Sequence, residues 1–215
     1  MRTRVKICGV TRVADAVVAA NCGADAIGLN FWPGTPRRVD LDAARAIAGA
    51  LPPLVTVVGL FVDPAADDVR AAMDRVRLDA LQFHGDESPD FCASFGRPYI
   101  KAIPARPGTD LLQYARRFES AQAWLFDAFE SGGMPGGTGA TFDWSRVPAN
   151  LARPLVISGG LTAENVGAAI RALSPWAVDV SSGVEEAGDD GRPRKGIKSP
   201  SKIAAFIREV RDADG

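Results

Sequence analysis

Residues 155–183 read LVISGGLTAENVGAAIRALSPWAVDVSSG, and they form the clearest structural unit of the chain. A short apolar run, LVI, closes on two glycines, and the amphipathic segment Ala163–Leu173 follows Thr162, which is a good N-cap for a helix. A second apolar run, AVDV, then closes on SSG. The stretch therefore predicts strand, helix and strand in succession, which is the unit that joins two parallel strands.

The same alternation extends over the rest of the chain. Further short apolar runs close on Gly, Asp, His or Pro and predict strands: RVKICG, DAIGLNF, LVTVVGLFV, DALQFHG, PYIKAI and AWLFDAF. Between the runs, helical spacing of apolar residues predicts helices over Val13–Ala20, Leu41–Ala50, Ala65–Val76, Pro89–Phe95, Leu111–Phe118, Ala163–Leu173 and Pro200–Val210.

Strict alternation of strands and helices predicts the α/β class with a parallel sheet. About eight such units in 215 residues favour a closed (β/α)8 TIM barrel, with residues 1–215 as a single domain. An open, doubly wound sheet is the alternative architecture. No G-x-G-x-x-G follows the first strand, which lowers the case for its dinucleotide-binding version.

Composition excludes several classes of protein. The formal net charge is -1 with 24% charged residues of both signs, so no basic excess points to nucleic acid. The three cysteines are far apart and lack metal-ligand spacing, which argues against a disulfide framework or a metal site and fits a reducing cytoplasm. No apolar run approaches the ~20 residues of a membrane span, so we expect an unexported protein without a membrane partner.

Polar side chains end several of the predicted strands. In a barrel the reactive groups gather at the carboxyl ends of the strands, and Cys8, His84 and Asp127 hold such positions. Because successive side chains of a strand alternate, Lys6 shares the face of Cys8, and Asp179 lies opposite the apolar face of its own strand. An inward lysine is costly without a partner, so we expect Lys6 to pair with Asp179 inside the barrel.

Glycine- and serine-rich turns follow the last two strands of the barrel. Gly159 and Gly160 end ISGG, and Ser182 and Gly183 end SSG. Barrels commonly bind phosphate after these strands, where backbone amides and a helix N-terminus meet the anion. We therefore expect these four residues to bind phosphate.

The motifs KICGVT, GLNFWPGTPRRV, VGLFVD, LQFHGDE, GGTGATFDW, ISGGLTAENV and AVDVSSGVE occur in this order. Together they resemble the phosphoribosylanthranilate isomerase family, the (β/α)8 enzymes of tryptophan biosynthesis. The resemblance implies a phosphorylated aminoaldose as the small-molecule substrate, isomerised to an aminoketose by an Amadori rearrangement. It implies no cofactor and no metal.

The resemblance also assigns roles to individual residues. Cys8 corresponds to the family's general base, Asp127 to its general acid, and Arg37 to the arginine that holds the anthranilate carboxylate. The base role needs a thiolate, so the pKa of Cys8 is expected to fall, with Lys6 as the nearest cation. Lys6, His84 and Asp179 are further candidates for substrate binding or for tuning the site.

Two segments rich in glycine or charge are left outside the elements. The loop after Asp127, ESGGMPGGTGATFDW, is expected to close over substrate, and the tract Glu185–Pro200 is expected to be a surface loop.

Two other functions fit a phosphate-binding barrel. One is another sugar-phosphate isomerase, such as the barrel of histidine biosynthesis, but those relatives generally place an aspartate where this chain has Cys8. The other is a barrel that binds a phosphorylated ligand without catalysis, which would need neither Cys8 nor Asp127. The sequence leaves both monomer and homodimer open.

Overall fold

Eight β-branched and apolar runs form the strands of a closed barrel. A computed structural model describes residues 2–104, 108–127, 147–148, 150–189 and 191–215. All neighbouring strands are parallel and follow chain order, and β1 pairs with both β2 and β8. The strands are β1 (Arg4–Cys8), β2 (Ala26–Asn30), β3 (Thr56–Phe61), β4 (Ala80–Phe83), β5 (Tyr99–Pro104), β6 (Ala123–Asp127), β7 (Leu155–Ile157) and β8 (Ala177–Val180). The predicted (β/α)8 barrel is confirmed, because an open sheet would leave β1 and β8 unpaired.

Helices connect the strands and cover the outside of the barrel. The α-helices of the described residues are α1 (Val13–Cys22), α2 (Leu41–Ala50), α3 (Ala66–Arg75), α4 (Pro89–Ala93), α5 (Leu111–Arg116), α6 (Ala163–Leu173) and α7 (Pro200–Asp214). Local signals fix their starts: the Asp40 carboxylate accepts from the amide of Ala43, and Ser199 precedes Pro200 at the first position of α7. The bounds predicted for α2 and α6 are those observed. None of the helices in the described ranges is long and apolar enough to cross a membrane.

The strand alternation separates two apolar clusters. Outward side chains such as Ile7, Phe83 and Trp124 are fully buried beneath the helices. A second, smaller cluster comes from the opposite face of the strands and fills the inside of the barrel: Ala102, Ala123, Leu125, Val156 and Ala177. The polar side chains predicted to face inward therefore lie above a small apolar cluster that fills the interior.

The tract from Glu185 to Pro200 is more ordered than the sequence predicts. A 3-10 turn (Ser182–Val184) leads into an antiparallel hairpin of β9 (Glu185–Ala187) and β10 (Pro193–Lys198). The expectation of a surface loop is wrong at both ends of the tract, because Glu185 and Lys198 are fully buried. The predicted lid after Asp127 lies outside the described residues.

The two ends of the chain meet at the amino-terminal end of the barrel. Thr3 donates from its backbone N and from its Oγ1 to the two carboxylate oxygens of Asp214, each over 2.7 Å. These bonds attach the last turn of α7 to the residue that precedes β1.

Candidate active site

A cavity of about 50 Å³ opens at the carboxyl end of the strands. Its wall contains the thiol of Cys8, the imidazole of His84 and the carboxyl of Asp127, which come from three different strands or strand ends. The predicted acid and base therefore face the same small space. The remaining lining residues are Gly9, Asn30, Trp32, Thr35, Arg37, Leu60, Val62, Gln82, Ser158, Asp179 and Ser181.

An ion pair inside the barrel lies next to the thiol of Cys8. Lys6 Nζ lies 2.9 Å from Asp179 Oδ1, and both side chains are about 5% exposed. This pair was expected from the strand alternation, and the register of β1 and β8 places the two residues opposite each other. Gly28 on β2 makes room for it, since a Cβ there would lie 2.9 Å from Cys8 Sγ and 3.1 Å from Lys6 Cε.

The protonation of the thiol differs from the sequence-based expectation. Burial raises the pKa of Cys8, and the opposing effect of Lys6 does not outweigh it because Asp179 also disfavours the thiolate. The predicted downward shift is therefore wrong in direction. Burial also works against the ammonium of Lys6, but Asp179 and Cys8 outweigh it and raise the pKa of Lys6.

A chain of three side chains leads to the carboxyl of Asp127. Gln82 Nε2 lies 3.1 Å from His84 Nδ1, and His84 Nε2 lies 3.0 Å from Asp127 Oδ2. The other carboxyl oxygen, Asp127 Oδ1, is buried and has no hydrogen-bond partner within the described part of the chain. One oxygen of the predicted acid is thus held, while the second is free to meet a substrate.

Arg37 is held in place by a buried carboxylate. Its Nε and Nη2 donate to the two oxygens of Glu185 over 2.7 and 2.9 Å, while Lys198 Nζ lies 3.3 Å from Glu185 Oε1. Burial favours the neutral form of Glu185, but hydrogen bonds from Arg37 and the charge of Lys198 outweigh it and lower the pKa of Glu185. Arg37 is only 6% exposed, and its Nη1 makes no hydrogen bond to the described residues.

The predicted phosphate-binding turns lie beside this arginine. Arg37, Gly160, Ser182 and Gly183 line a groove of about 790 Å³, together with the first turn of α6. Gly183 permits close contact between the two turns, since a Cβ there would lie 1.9 Å from the carbonyl oxygen of Leu161. Gly159 and Gly160 both have positive φ, 86° and 64°, which other residues adopt only with strain.

The amide of Asn165 fixes the turn after β7 to α6. Asn165 accepts from the amide of Thr162 and donates to the carbonyl of Gly160, each over 2.9 Å. Basic side chains from β10 and α7 border the same groove: Arg194, Lys195 and Lys202. A helix N-terminus and nearby cations are features that favour a bound phosphate.

The sequence did not indicate every residue of the site. Glu185 belongs to a tract that the sequence predicts as a surface loop, although the Lys and Ile of GIK, ahead of the last helix, lie in β10. Asn30 also lines the cavity. The alternation of β2 places it on the same inward face as Gly28, and this is the sequence feature that could have indicated it. Within the described ranges, no group of three or more His, Cys, Asp and Glu is placed to hold a metal.

A family model described as "PRAI: N-(5'phosphoribosyl)anthranilate (PRA) isomerase" matches residues 5–209 of the chain. A relative named N-(5'-phosphoribosyl)anthranilate isomerase, from Azotobacter vinelandii, is 52% identical over 210 residues, which are 98% of this chain and 98% of the relative.

Solved structures agree with this match. The phosphoribosyl anthranilate isomerase from Thermus thermophilus superposes with a TM-score of 0.84 at 36% identity, covering 98% of this chain and 99% of that one. A second structure is a phosphoribosyl anthranilate isomerase in complex with reduced 1-(o-carboxyphenylamino)-1-deoxyribulose 5-phosphate; it has a TM-score of 0.81 at 33% identity, covering 98% and 99%. The chain belongs to the N-(5'-phosphoribosyl)anthranilate isomerase family.

Proposed function

We propose that this chain converts N-(5'-phosphoribosyl)anthranilate to 1-(2-carboxyphenylamino)-1-deoxyribulose 5-phosphate, an aldose-ketose isomerisation of tryptophan biosynthesis. The observation that carries the proposal is the shared cavity of Cys8 and Asp127, which lies beside glycine turns suited to phosphate. This arrangement occurs in a chain that matches the isomerase family over nearly its full length.

The Amadori rearrangement needs one acid and one base at neighbouring atoms of the sugar. Asp127 gives its proton to the furanose ring oxygen, the bond from that oxygen to C1 breaks, and the anthranilate nitrogen supplies the electron pair of a protonated Schiff base. The thiolate of Cys8 then takes the proton from C2, and the electrons of that bond move to form the enolamine. Tautomerisation of the enolamine gives the aminoketose.

Binding groups surround these two residues. The free Nη1 of Arg37 is the group available to the anthranilate carboxylate, and Glu185 holds the guanidinium in a fixed orientation. The turns with Gly159, Gly160, Ser182 and Gly183 take the phosphate. Lys6 and Asp179 position Cys8 from within the barrel.

The rival functions are less well supported by these residues. A barrel that only binds a phosphorylated ligand has no need for a thiol and a carboxyl in one cavity, and the histidine-biosynthesis relatives differ at Cys8. We place the enzyme in the cytoplasm, where its three free thiols persist. Monomer and homodimer are both expected assemblies, since a dimeric relative from Thermotoga maritima has also been obtained as monomers.

The test is the fluorescence decay of freshly made phosphoribosylanthranilate on addition of purified protein. The wild-type chain should consume the substrate, and Cys8→Ala and Asp127→Ala should each abolish turnover. Circular dichroism and urea unfolding should show that both variants keep the fold. A near-normal kcat in either variant would contradict its assignment, and an inactive wild-type chain would contradict the function.

A further inference from the structure

We propose that His84 and Gln82 are positioning residues for the acid of this site: His84 carries its proton on Nε2 and holds Asp127 Oδ2, which leaves Oδ1 to transfer the proton. This inference rests on the proposed isomerase function. It gives His84 a role through Asp127 in place of the direct substrate contact that the sequence suggests.

The orientation of the Gln82 amide sets the proton on His84; its Oε1 is buried without a hydrogen-bond partner among the described residues. Gln82 is an inward residue of β4 with no exposed surface, and its Nε2 meets His84 Nδ1 over 3.1 Å. An amide N–H is a donor, so in this orientation Nδ1 accepts and the imidazole proton lies on Nε2. His84 Nε2 then donates to Asp127 Oδ2, 3.0 Å away.

The opposite rotamer of the Gln82 amide gives a different chain. Gln82 Oε1 would then accept from a proton on His84 Nδ1, and Nε2 would have to accept from Asp127. The proton of the carboxyl would lie on Oδ2 against the imidazole, away from the unpartnered Oδ1 in the cavity wall. Such a carboxyl carries no proton on the oxygen that faces the cavity, so the tautomer of His84 determines which oxygen of Asp127 can donate to a substrate.

The backbone around His84 is fixed on both sides. Its amide donates to the carbonyl of Phe61 over 2.9 Å, which continues the sheet beyond β4. The next residue, Gly85, donates to the carboxylate of Glu87, and its carbonyl accepts from Lys101 Nζ over 2.6 Å. Lys101 and Glu87 are themselves a buried pair with a separation of 2.6 Å. The backbone that carries the imidazole is therefore held in place across from Asp127.

The hydrogen bond to Oδ2 acts on the proton transfer from Asp127 to the substrate. When the O–H bond at Oδ1 breaks, its electron pair stays on the carboxylate and the proton passes to the ring oxygen of the sugar. The N–H of His84 then faces an anion, and a bond to a charged acceptor is stronger than a bond to a neutral one. His84 thus stabilises the state that follows proton donation and keeps Oδ1 directed at the substrate.

Two variants separate this role from substrate contact. His84→Gln keeps an N–H donor at about the reach of Nε2, whereas His84→Met has a similar length without a donor. We expect His84→Met to lower kcat roughly 10- to 100-fold, the rate equivalent of one hydrogen bond to a charged group, with KM nearly unchanged. His84→Gln should recover most of that loss. A normal kcat in His84→Met, or a loss confined to KM, would overturn the inference.

A second measurement needs no turnover. His84 is the only histidine of the chain, so ¹⁵N-labelled protein prepared without added histidines gives imidazole signals from this residue alone. The expected spectrum has the proton on Nε2 and a bare Nδ1, and Asp127→Ala should shift the Nε2 signal. A proton on Nδ1 with a bare Nε2 would overturn the inference even if the wild-type enzyme is active. An inactive wild-type enzyme would instead refute the function on which the inference rests.

Discussion

At the scale of single residues, the site is a set of ionisable groups buried at the carboxyl end of the barrel. Burial raises the pKa of Cys8, and Lys6 and Asp179 act on the same thiol in opposite directions. The base of the reaction is therefore protonated in most free molecules at neutral pH. The rate should therefore depend on Lys6, which lowers the pKa of the thiol, and on Asp179, which raises it.

The first prediction concerns pH. A thiol whose pKa is raised acts as a base only as the pH approaches that value, so kcat/KM should still be rising above pH ~8.5, the ordinary value for cysteine. Asp179→Asn removes a negative charge and should move the rise to lower pH. Lys6→Met removes the cation and should move it to higher pH. Profiles of kcat/KM that shift in the same direction in both variants would refute this account.

The second prediction concerns the space beside the thiol. Gly28→Ala would place a methyl group 2.9 Å from Cys8 Sγ and 3.1 Å from the Cα of Cys8, so the thiol must move. Misplacement by about 1 Å can cost ~100-fold in rate, and we expect a fall in kcat of that order. The matched control is Gly49→Ala in α2, where an added Cβ meets nothing within 4 Å. Equal kcat values in the two variants would contradict the prediction.

At the scale of elements, the hairpin β9–β10 shows where sequence reasoning stops. The barrel strands and the bounds of α2 and α6 follow from short-range patterns: alternation, caps and glycine stops. The pairing of Glu185 with Arg37 joins residues 148 positions apart, and no local pattern specifies it. The tract between Glu185 and Lys198 is polar and glycine-rich, so its composition resembles a loop although its ends are buried.

The same limit applies to the candidate site. Strand alternation predicted that Lys6, Cys8, Asp127 and Asp179 face inward, and the structure places them so. The direction of the Cys8 pKa could not be predicted, because it depends on how far burial outweighs Lys6. The contact between His84 and Asp127 joins two strands that are not neighbours, and it emerges only when the barrel closes.

The third prediction tests the buried end of the hairpin. Glu185→Gln leaves Arg37 and Lys198 as buried cations without their carboxylate, and we expect the free energy of unfolding to fall by about 3–5 kcal/mol. Urea unfolding measures this change. Glu186→Gln is the matched control, because Glu186 forms partly exposed pairs with Arg12 and Arg194 and should cost at most about 1 kcal/mol.

Acid should weaken the same contact in the wild-type protein. The folded pKa of Glu185 is lower than its unfolded value, so its contribution is present above the unfolded value of ~4.3 and is lost as the pH falls through the folded one. The difference in stability between wild type and Glu185→Gln should therefore shrink below that pH. A difference that stays constant down to strongly acidic pH would contradict this explanation.

At the scale of the whole molecule, closure brings the first and last segments together. β1 pairs with β8, and α7 packs against α1 and α6. The contact between Thr3 and Asp214 lies before β1 and so at the end of the barrel opposite the candidate site. A substitution at Thr3 or Asp214 should therefore lower the stability of the fold without changing kcat.

The fourth prediction follows from that separation. Asp214→Ala removes two hydrogen bonds to Thr3, one of them to a buried backbone amide, and should lower the free energy of unfolding by roughly 1–3 kcal/mol. The kcat should be unchanged. Asp212→Ala removes an exposed carboxylate from the same last turn and serves as the control. A fall in kcat for Asp214→Ala would show that the two ends of the barrel are coupled.

The small cluster inside the barrel has one more consequence. Ala102, Ala123, Leu125, Val156 and Ala177 fill the barrel below the reacting groups, so the described residues leave no passage through its centre. Substrate and product must then use the same opening at the carboxyl end of the strands, so the product must leave before the next substrate binds. We expect the ketose product, which keeps its phosphate and its carboxylate, to inhibit the reaction in competition with the substrate.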